Sequence, residues 1–190
     1  MSLKVGVLGS TRGTALQGIL DAVAAGTLDV EIVSVASDKQ TAPILERAAK
    51  YGVSARFLDP AGLKREQYDD LMSDALREAG AELVLLIGYM RIVSAKFVNT
   101  WQGRLLNVHP SLLPAFGGLM NQRVHEAVLA AGVSETGCTI HQVTEAVDGG
   151  PIVLQKRCLV LPEDTAETLR DRVQALEQAA FVEVLQGWRA

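Results

Sequence analysis

Short apolar runs alternate with segments of helical periodicity through the first half of this chain, and no other feature constrains the fold as strongly. Leu3 to Leu8, Val30 to Ala36, Ser54 to Leu58 and Glu82 to Ile87 read as strands, because each is short and rich in apolar or β-branched residues. Thr14 to Ala25 carries Leu16, Ile19, Leu20 and Val23 at three-and-four spacing, which predicts an amphipathic helix. Pro43 to Tyr51 and Arg65 to Ala79 read as two more helices, with Pro43 tolerated in the first turn and Gly80 closing the second. Alternation of this kind implies βαβ units, hence a parallel sheet covered by helices, whose strands are apolar on both faces.

The second half breaks the pattern. Arg104 to Val108 reads as a strand, His109 to Gly118 as a loop, and Arg123 to Ala131 as a helix. Gly137 to Val147 and Ile152 to Leu161 read as two strands joined by Asp148-Gly149-Gly150-Pro151, and Thr165 to Trp188 as a long closing helix. The expected fold class is α/β: a Rossmann-like, doubly wound, mostly parallel sheet with an appended antiparallel strand pair and a long C-terminal helix. A length of 190 residues favours one domain.

Charge narrows the partners. The formal net charge is -4 and no basic stripe is visible, which argues against nucleic acid. No apolar stretch approaches the roughly 18 residues of a membrane span, and Met-Ser-Leu-Lys leads directly into the first strand, so no membrane association and a cytoplasmic location are expected. Cys138 and Cys158 form no CxxC pair and no metal spacing with the three histidines, and are expected to be buried small apolar residues. Oligomeric state leaves no readable mark.

Three places carry possible chemistry. Gly9 to Gly13 follows the first strand and opens a helix, so Gly13, Thr14 and Ala15 sit where free amides would face an anion; a plain strand-to-helix turn explains the loop equally well. It is neither GxGxxG nor a Walker sequence. Asn107 and His109 are two positions apart at a strand's carboxyl end, so both side chains share a face and can offer an amide and an ionisable donor to one oxyanion. Asp148 precedes two glycines, and alone it reads as a turn residue. Beside His109, its carboxylate would raise the imidazole pKa and keep the ring charged. His141 reads as a packed or edge residue, and His125 heads a helix that faces either a site or solvent.

Three segments in order carry a resemblance: Gly88-Tyr89-Met90-Arg91-Ile92-Val93, then Leu105 to Pro114, then Gly137 to His141 leading to Val147-Asp148-Gly149-Gly150-Pro151-Ile152. With the glycine loop after the first strand, the chain resembles the phosphoribosylglycinamide formyltransferase family, folate-dependent transferases of purine synthesis and one-carbon metabolism, from Val5 to Trp188. The resemblance implies transfer of a formyl group from 10-formyltetrahydrofolate, a co-substrate, to the amine of glycinamide ribonucleotide, with no metal. It implies catalytic roles for Asn107, His109 and Asp148, phosphate binding at Gly13, Thr14 and Ala15, and a contact to the substrate's amine side from Glu177. It assigns folate binding to Arg65, Met90, Arg91, Ile92, Val93 and Asn107. It also implies a single formyltransferase domain over 1–190, with a phosphate-binding half to about residue 100 and a catalytic, folate-binding half after it.

The chain departs from the family where Ala15 replaces the usual Asn, which keeps a backbone amide but loses a side-chain contact; Arg12 or a nearby hydroxyl is a candidate to compensate. Gly117 to Gln122 also differs and is slightly longer. Two relatives with the same catalytic core are alternatives. Methionyl-tRNA formyltransferase is expected to carry a further C-terminal domain and a basic surface, and formyltetrahydrofolate hydrolase a regulatory domain before the first strand. A non-catalytic Rossmann-type nucleotide-binding module would explain the first loop but leaves Asn107, His109 and Asp148 without a role.

Overall fold

A computed structural model describes residues 2–188. The elements run β1 (Leu3–Leu8), α1 (Thr14–Ala24), β2 (Val30–Ser37), α2 (Pro43–Lys50), β3 (Ala55–Phe57), α3 (Arg65–Glu78) and β4 (Leu83–Leu86). They continue with α4 (Ala95–Thr100), β5 (Leu105–His109), α5 (Gln122–Ala130), β6 (Glu135–Gln142), β7 (Ile152–Leu159) and α6 (Ala166–Gly187). The seven strands form one sheet in the order β3-β2-β1-β4-β5-β6-β7. The first five in that order are parallel, and β6 and β7 are added antiparallel, so the expected α/β class stands.

Both faces of the sheet are packed. Leu83, Leu85 and Ile87 point into one core with Leu16 and Ile19 of α1, Ile44 of α2 and Phe181 of α6. Val84 and Leu86, one residue out of phase, point into a second core with Tyr68, Met72 and Leu76 of α3 and Trp101. This alternation between two apolar layers is why β4 reads as an unbroken apolar run. Gly18 lets α6 lie close on α1, since a Cβ there would sit 2.7 Å from Gln178 Cβ. No described helix is long and apolar enough to cross a membrane.

Four sequence expectations need correction. α4 was not anticipated: it is six residues long and too short to show a period, although Ser94 caps it by accepting a hydrogen bond from the Phe97 amide at 3.3 Å. His109 closes β5 instead of opening the next loop. β6 stops at Gln142, and residues 143–151 run as a loop, so Asp148-Gly149-Gly150-Pro151 is the end of a longer connection and not a tight hairpin. The loop folds back so closely that a Cβ at Gly150 would collide with the Gln142 carbonyl. Cys138 is buried, as expected, but Cys158 is half-buried. Burial pushes the Cys138 thiol up to about 12, which leaves it unreactive.

Candidate active site

Strand order reverses direction between β1 and β4, where an open α/β sheet leaves a crevice beyond its carboxyl ends. The loops leaving β1 and β4 are joined there. Ser10 donates its hydroxyl to Asp38 at 2.6 Å and accepts the Met90 amide at 2.9 Å, while the Ser10 amide donates to the Gly88 carbonyl at 3.1 Å. Gly13 caps α1 in the left-handed conformation, φ 61°, and a Cβ there would run into Ile44. No side chain caps α1, so its first amides face the crevice without that partner.

The crevice is a cavity of about 340 Å³, near the low end of small-molecule pockets. The exits of β1, β4 and β5, the loop before α5, the 143–151 loop and one face of α6 line it.

Asn107 and His109 both border the cavity, on one face of β5. The antiparallel register sets His141 directly opposite Asn107. The Asn107 amide donates to His141 Nε2 at 3.1 Å, and His141 Nδ1–H donates to the Gln142 carbonyl at 2.9 Å. Asp148 comes back over this pair. Its Oδ2 lies 3.3 Å from His109 Nδ1 and accepts the Gly118 amide at 2.8 Å, and its Oδ1 lies 3.6 Å from His141 Nε2. His109 Nε2 lies 3.1 Å from the Phe116 carbonyl. Both ring nitrogens of His109 therefore face acceptors, a surrounding that the imidazolium satisfies fully and neutral imidazole satisfies by half.

Thr139, opposite His109, fixes the turn that follows β5. Its hydroxyl donates to the Ser111 carbonyl at 2.7 Å and accepts the Leu113 amide at 3.0 Å and the Gln155 amide at 2.9 Å. Within the same turn Ser111 donates its hydroxyl to the Ala115 carbonyl at 2.6 Å, beside Phe116.

Electrostatics correct one expectation. Burial of His109, 3% exposed, pushes its pKa below the ordinary histidine value; Asp148 and the Phe116 carbonyl oppose the shift but do not cancel it. Burial therefore works against the charged ring that the pairing with Asp148 implied. Burial also pushes the Asp148 carboxyl up, but His141, the Gly118 amide and the charge of His109 together hold it below its usual range.

Gly13, Thr14, Ala15, Met90 and Glu177 border the same cavity. Burial pushes the Glu177 carboxyl up to about 8. The remaining positions lie outside it. Arg65 is exposed at the start of α3, Ile92 is 51% exposed, Val93 packs on the second core, and Arg91 stacks 4.7 Å over the Tyr68 ring. Tyr89 borders the cavity, and its buried hydroxyl has no partner among the described residues. His141 is packed, as expected, at 2% exposed, but its partner was not anticipated. A Thr–Ile–His alternation puts His141 on the Thr139 face, and only the β5–β6 register shows that this face meets Asn107. His125 faces the cavity at 2% exposure, and burial, with the charge of Arg170, pushes its pKa down to about 4. No group of three or more His, Cys, Asp or Glu among the described residues is arranged to hold a metal ion.

Comparison with known proteins gives one family. The sequence model described as "Formyl transferase" matches residues 3–185. A trifunctional purine biosynthetic protein adenosine-3 from Gallus gallus is 42% identical over 185 residues; the alignment covers 97% of this chain, which spans only 18% of that relative's length. A phosphoribosylglycinamide formyltransferase from Haemophilus influenzae is 38% identical over 184 residues, covering 96% of this chain and 85% of the relative. The crystal structure of glycinamide ribonucleotide transformylase 1 from Symbiobacterium toebii superposes with a TM-score of 0.92 at 42% identity, covering 97% of this chain and 86% of that one.

Proposed function

The chain belongs to the formyl transferase family, and from that premise we propose that it moves a formyl group from 10-formyltetrahydrofolate to the amine of 5-phosphoribosylglycinamide, in purine synthesis. The observation that carries the reading is the convergence of Asn107, His109 and Asp148 at the end of β5, in one cavity with the uncapped start of α1. A reaction centre beside an anion-binding helix start suits an acceptor with an amine at one end and a phosphate at the other.

The formyl donor supplies an electrophilic carbonyl carbon bound to nitrogen. Its side of the site is the β4 exit, where Met90 lines the wall and the Tyr89 hydroxyl lacks a partner among the described residues. Arg65, Arg91, Ile92 and Val93 would contact the donor beyond the cavity wall. At the centre, the acceptor amine forms a bond to the formyl carbon, and the carbonyl electron pair moves onto oxygen. His109 enters the step as the imidazolium, with a proton taken from water that it keeps throughout, and Asp148 stabilises that charge. Asn107 and His109, whose Nε2–H turns from the Phe116 carbonyl, donate hydrogen bonds to the oxyanion. A proton then leaves the attacking nitrogen through Asp148 and water and reaches the departing folate nitrogen, as the carbon–nitrogen bond of the donor breaks. The oxyanion is stabilised by side-chain donors, so this route needs no metal.

Glu177, a neutral acid at neutral pH, would contact the acceptor's amine side without trapping the amine as a fully paired ammonium. Residues 1–190 act as one domain on this reading, although Met1, Arg189 and Ala190 lie outside the described residues. The acidic chain works in the cytoplasm on small molecules, without nucleic acid or membrane. Incubation with glycinamide ribonucleotide and 10-formyltetrahydrofolate, following both formyl-ribonucleotide and free formate, tests the proposal. Formate release without transfer would place the chain among hydrolases and overturn it.

A further inference from the structure

Arg170, Gln174 and Glu177 stand at successive turns on one face of α6, and all three border the cavity with Gly13, Thr14 and Ala15. This end of the cavity is built for an anion from two sides. On α1, the first amides have no capping side chain, and Ala15 contributes no polar group of its own. On α6, the ion pairs of Arg170 among the described residues run along its own helix, to Asp171 at 2.9 Å and Glu167 at 3.4 Å, and those carboxylates are 63% and 75% exposed. Exposed pairs of this kind are weak and leave the guanidinium free to reorient. Glu177 is the only α6 carboxylate on the cavity wall, and its raised pKa keeps it uncharged at neutral pH. His125 also borders the cavity, and its buried Nδ1 has no partner among the described residues.

We propose that Arg170 binds the phosphate of the acceptor, supplying from α6 the side-chain contact that Ala15 cannot supply from α1. The inference rests on the reading above that the acceptor is a phosphorylated amine. Arg12, the other arginine on the wall among the described residues, is exposed, and its carbonyl is tied to Arg47 Nε at 3.1 Å. Arg170 is half-buried beside the substrate-facing turns of α6 and can form a two-pronged contact to phosphate.

The full chain and its Arg170→Ala, Arg170→Lys and Arg12→Ala variants are assayed with glycinamide ribonucleotide and with the dephosphorylated ribonucleoside. Arg170→Ala should raise KM for the ribonucleotide about 10- to 100-fold, the cost of one charge-assisted phosphate contact. Its kcat, its KM for the formyl donor and its kinetics with the ribonucleoside should stay within about twofold. Arg170→Lys should recover part of the loss. An unchanged KM in Arg170→Ala, an equal loss with the ribonucleoside, or the full effect in Arg12→Ala instead would each overturn the assignment. Failure of the parent chain to formylate the ribonucleotide would instead refute the proposed function. The anion site is then decided by calorimetric titration of ribose 5-phosphate, which should bind the parent chain and lose affinity in Arg170→Ala.

Discussion

Asp148 reaches to 3.3 Å from His109 Nδ1 out of a left-handed backbone conformation, φ 52°. The contact closes the 143–151 loop over the end of β5 and sets a carboxylate against a ring whose burial disfavours charge. Burial disfavours charge on His109, and Asp148 lowers the cost of charging it.

His109→Ala should lower kcat by about 100- to 1,000-fold, the usual loss when one oxyanion donor is removed. The fold should survive, because the side chain lies at a strand's end against the cavity. Steady-state kinetics beside circular dichroism check this, and near-normal turnover would sink the mechanism.

Asp148→Asn should lower activity and move the pH–rate profile. Asn tolerates the left-handed backbone, so the loop is kept while the charge is lost. Asp148 raises the His109 pKa, so its removal lowers that pKa further. Activity that needs the imidazolium falls as pH rises through the His109 pKa, and that alkaline limb should shift to lower pH. An unchanged profile with full activity would reduce Asp148 to a turn residue.

Glu177→Gln should flatten the pH dependence of stability. The folded carboxyl titrates at about 8, well above its ordinary value of 4.5, so the folded state holds the proton more tightly than the unfolded state. Stability is then full below the unfolded pKa and is lost as pH rises towards about 8, by an amount on the order of 4 kcal/mol. Urea unfolding at acid, neutral and mildly alkaline pH measures this slope. A parent protein no less stable at the alkaline end would contradict it.

Ala15→Asn should tighten binding of the phosphorylated acceptor or leave it unchanged. The substitution adds an amide beside the α1 amides that border the cavity. Marked weakening in a calorimetric titration would mean that this loop holds phosphate in another way.

Gly150→Ala should destabilise the protein by about 1–3 kcal/mol, because the new Cβ meets the Gln142 carbonyl, a backbone atom with little room to yield. Activity should fall further than stability, since the shifted loop carries Asp148. Thermal unfolding and kcat measured on one preparation separate the two losses.

The sheet was legible because a strand buried on both faces must be apolar throughout, as Leu83 to Ile87 is. The shared face of Asn107 and His109 followed from the period of two along a strand. The position of Asp148 did not, since it depends on the path of an irregular loop. Alone, Asp-Gly-Gly resembles any turn. His141 needed both its partner strand and its register, and His125 needed the docking of α5 against α6. The direction of the His109 pKa shift was misjudged because a charge partner can be guessed from sequence while the depth of burial cannot.

The left-handed backbone at Asp148 restricts that position in a way chemistry alone would not. A carboxylate requirement admits Asp and Glu, whereas a positive φ admits Gly, Asn and Asp with ease and most other residues at a cost. The two sets share one member. In a library of every substitution at 148, variants that fold well and variants that keep the charge should form separate groups, with only the parent residue in both.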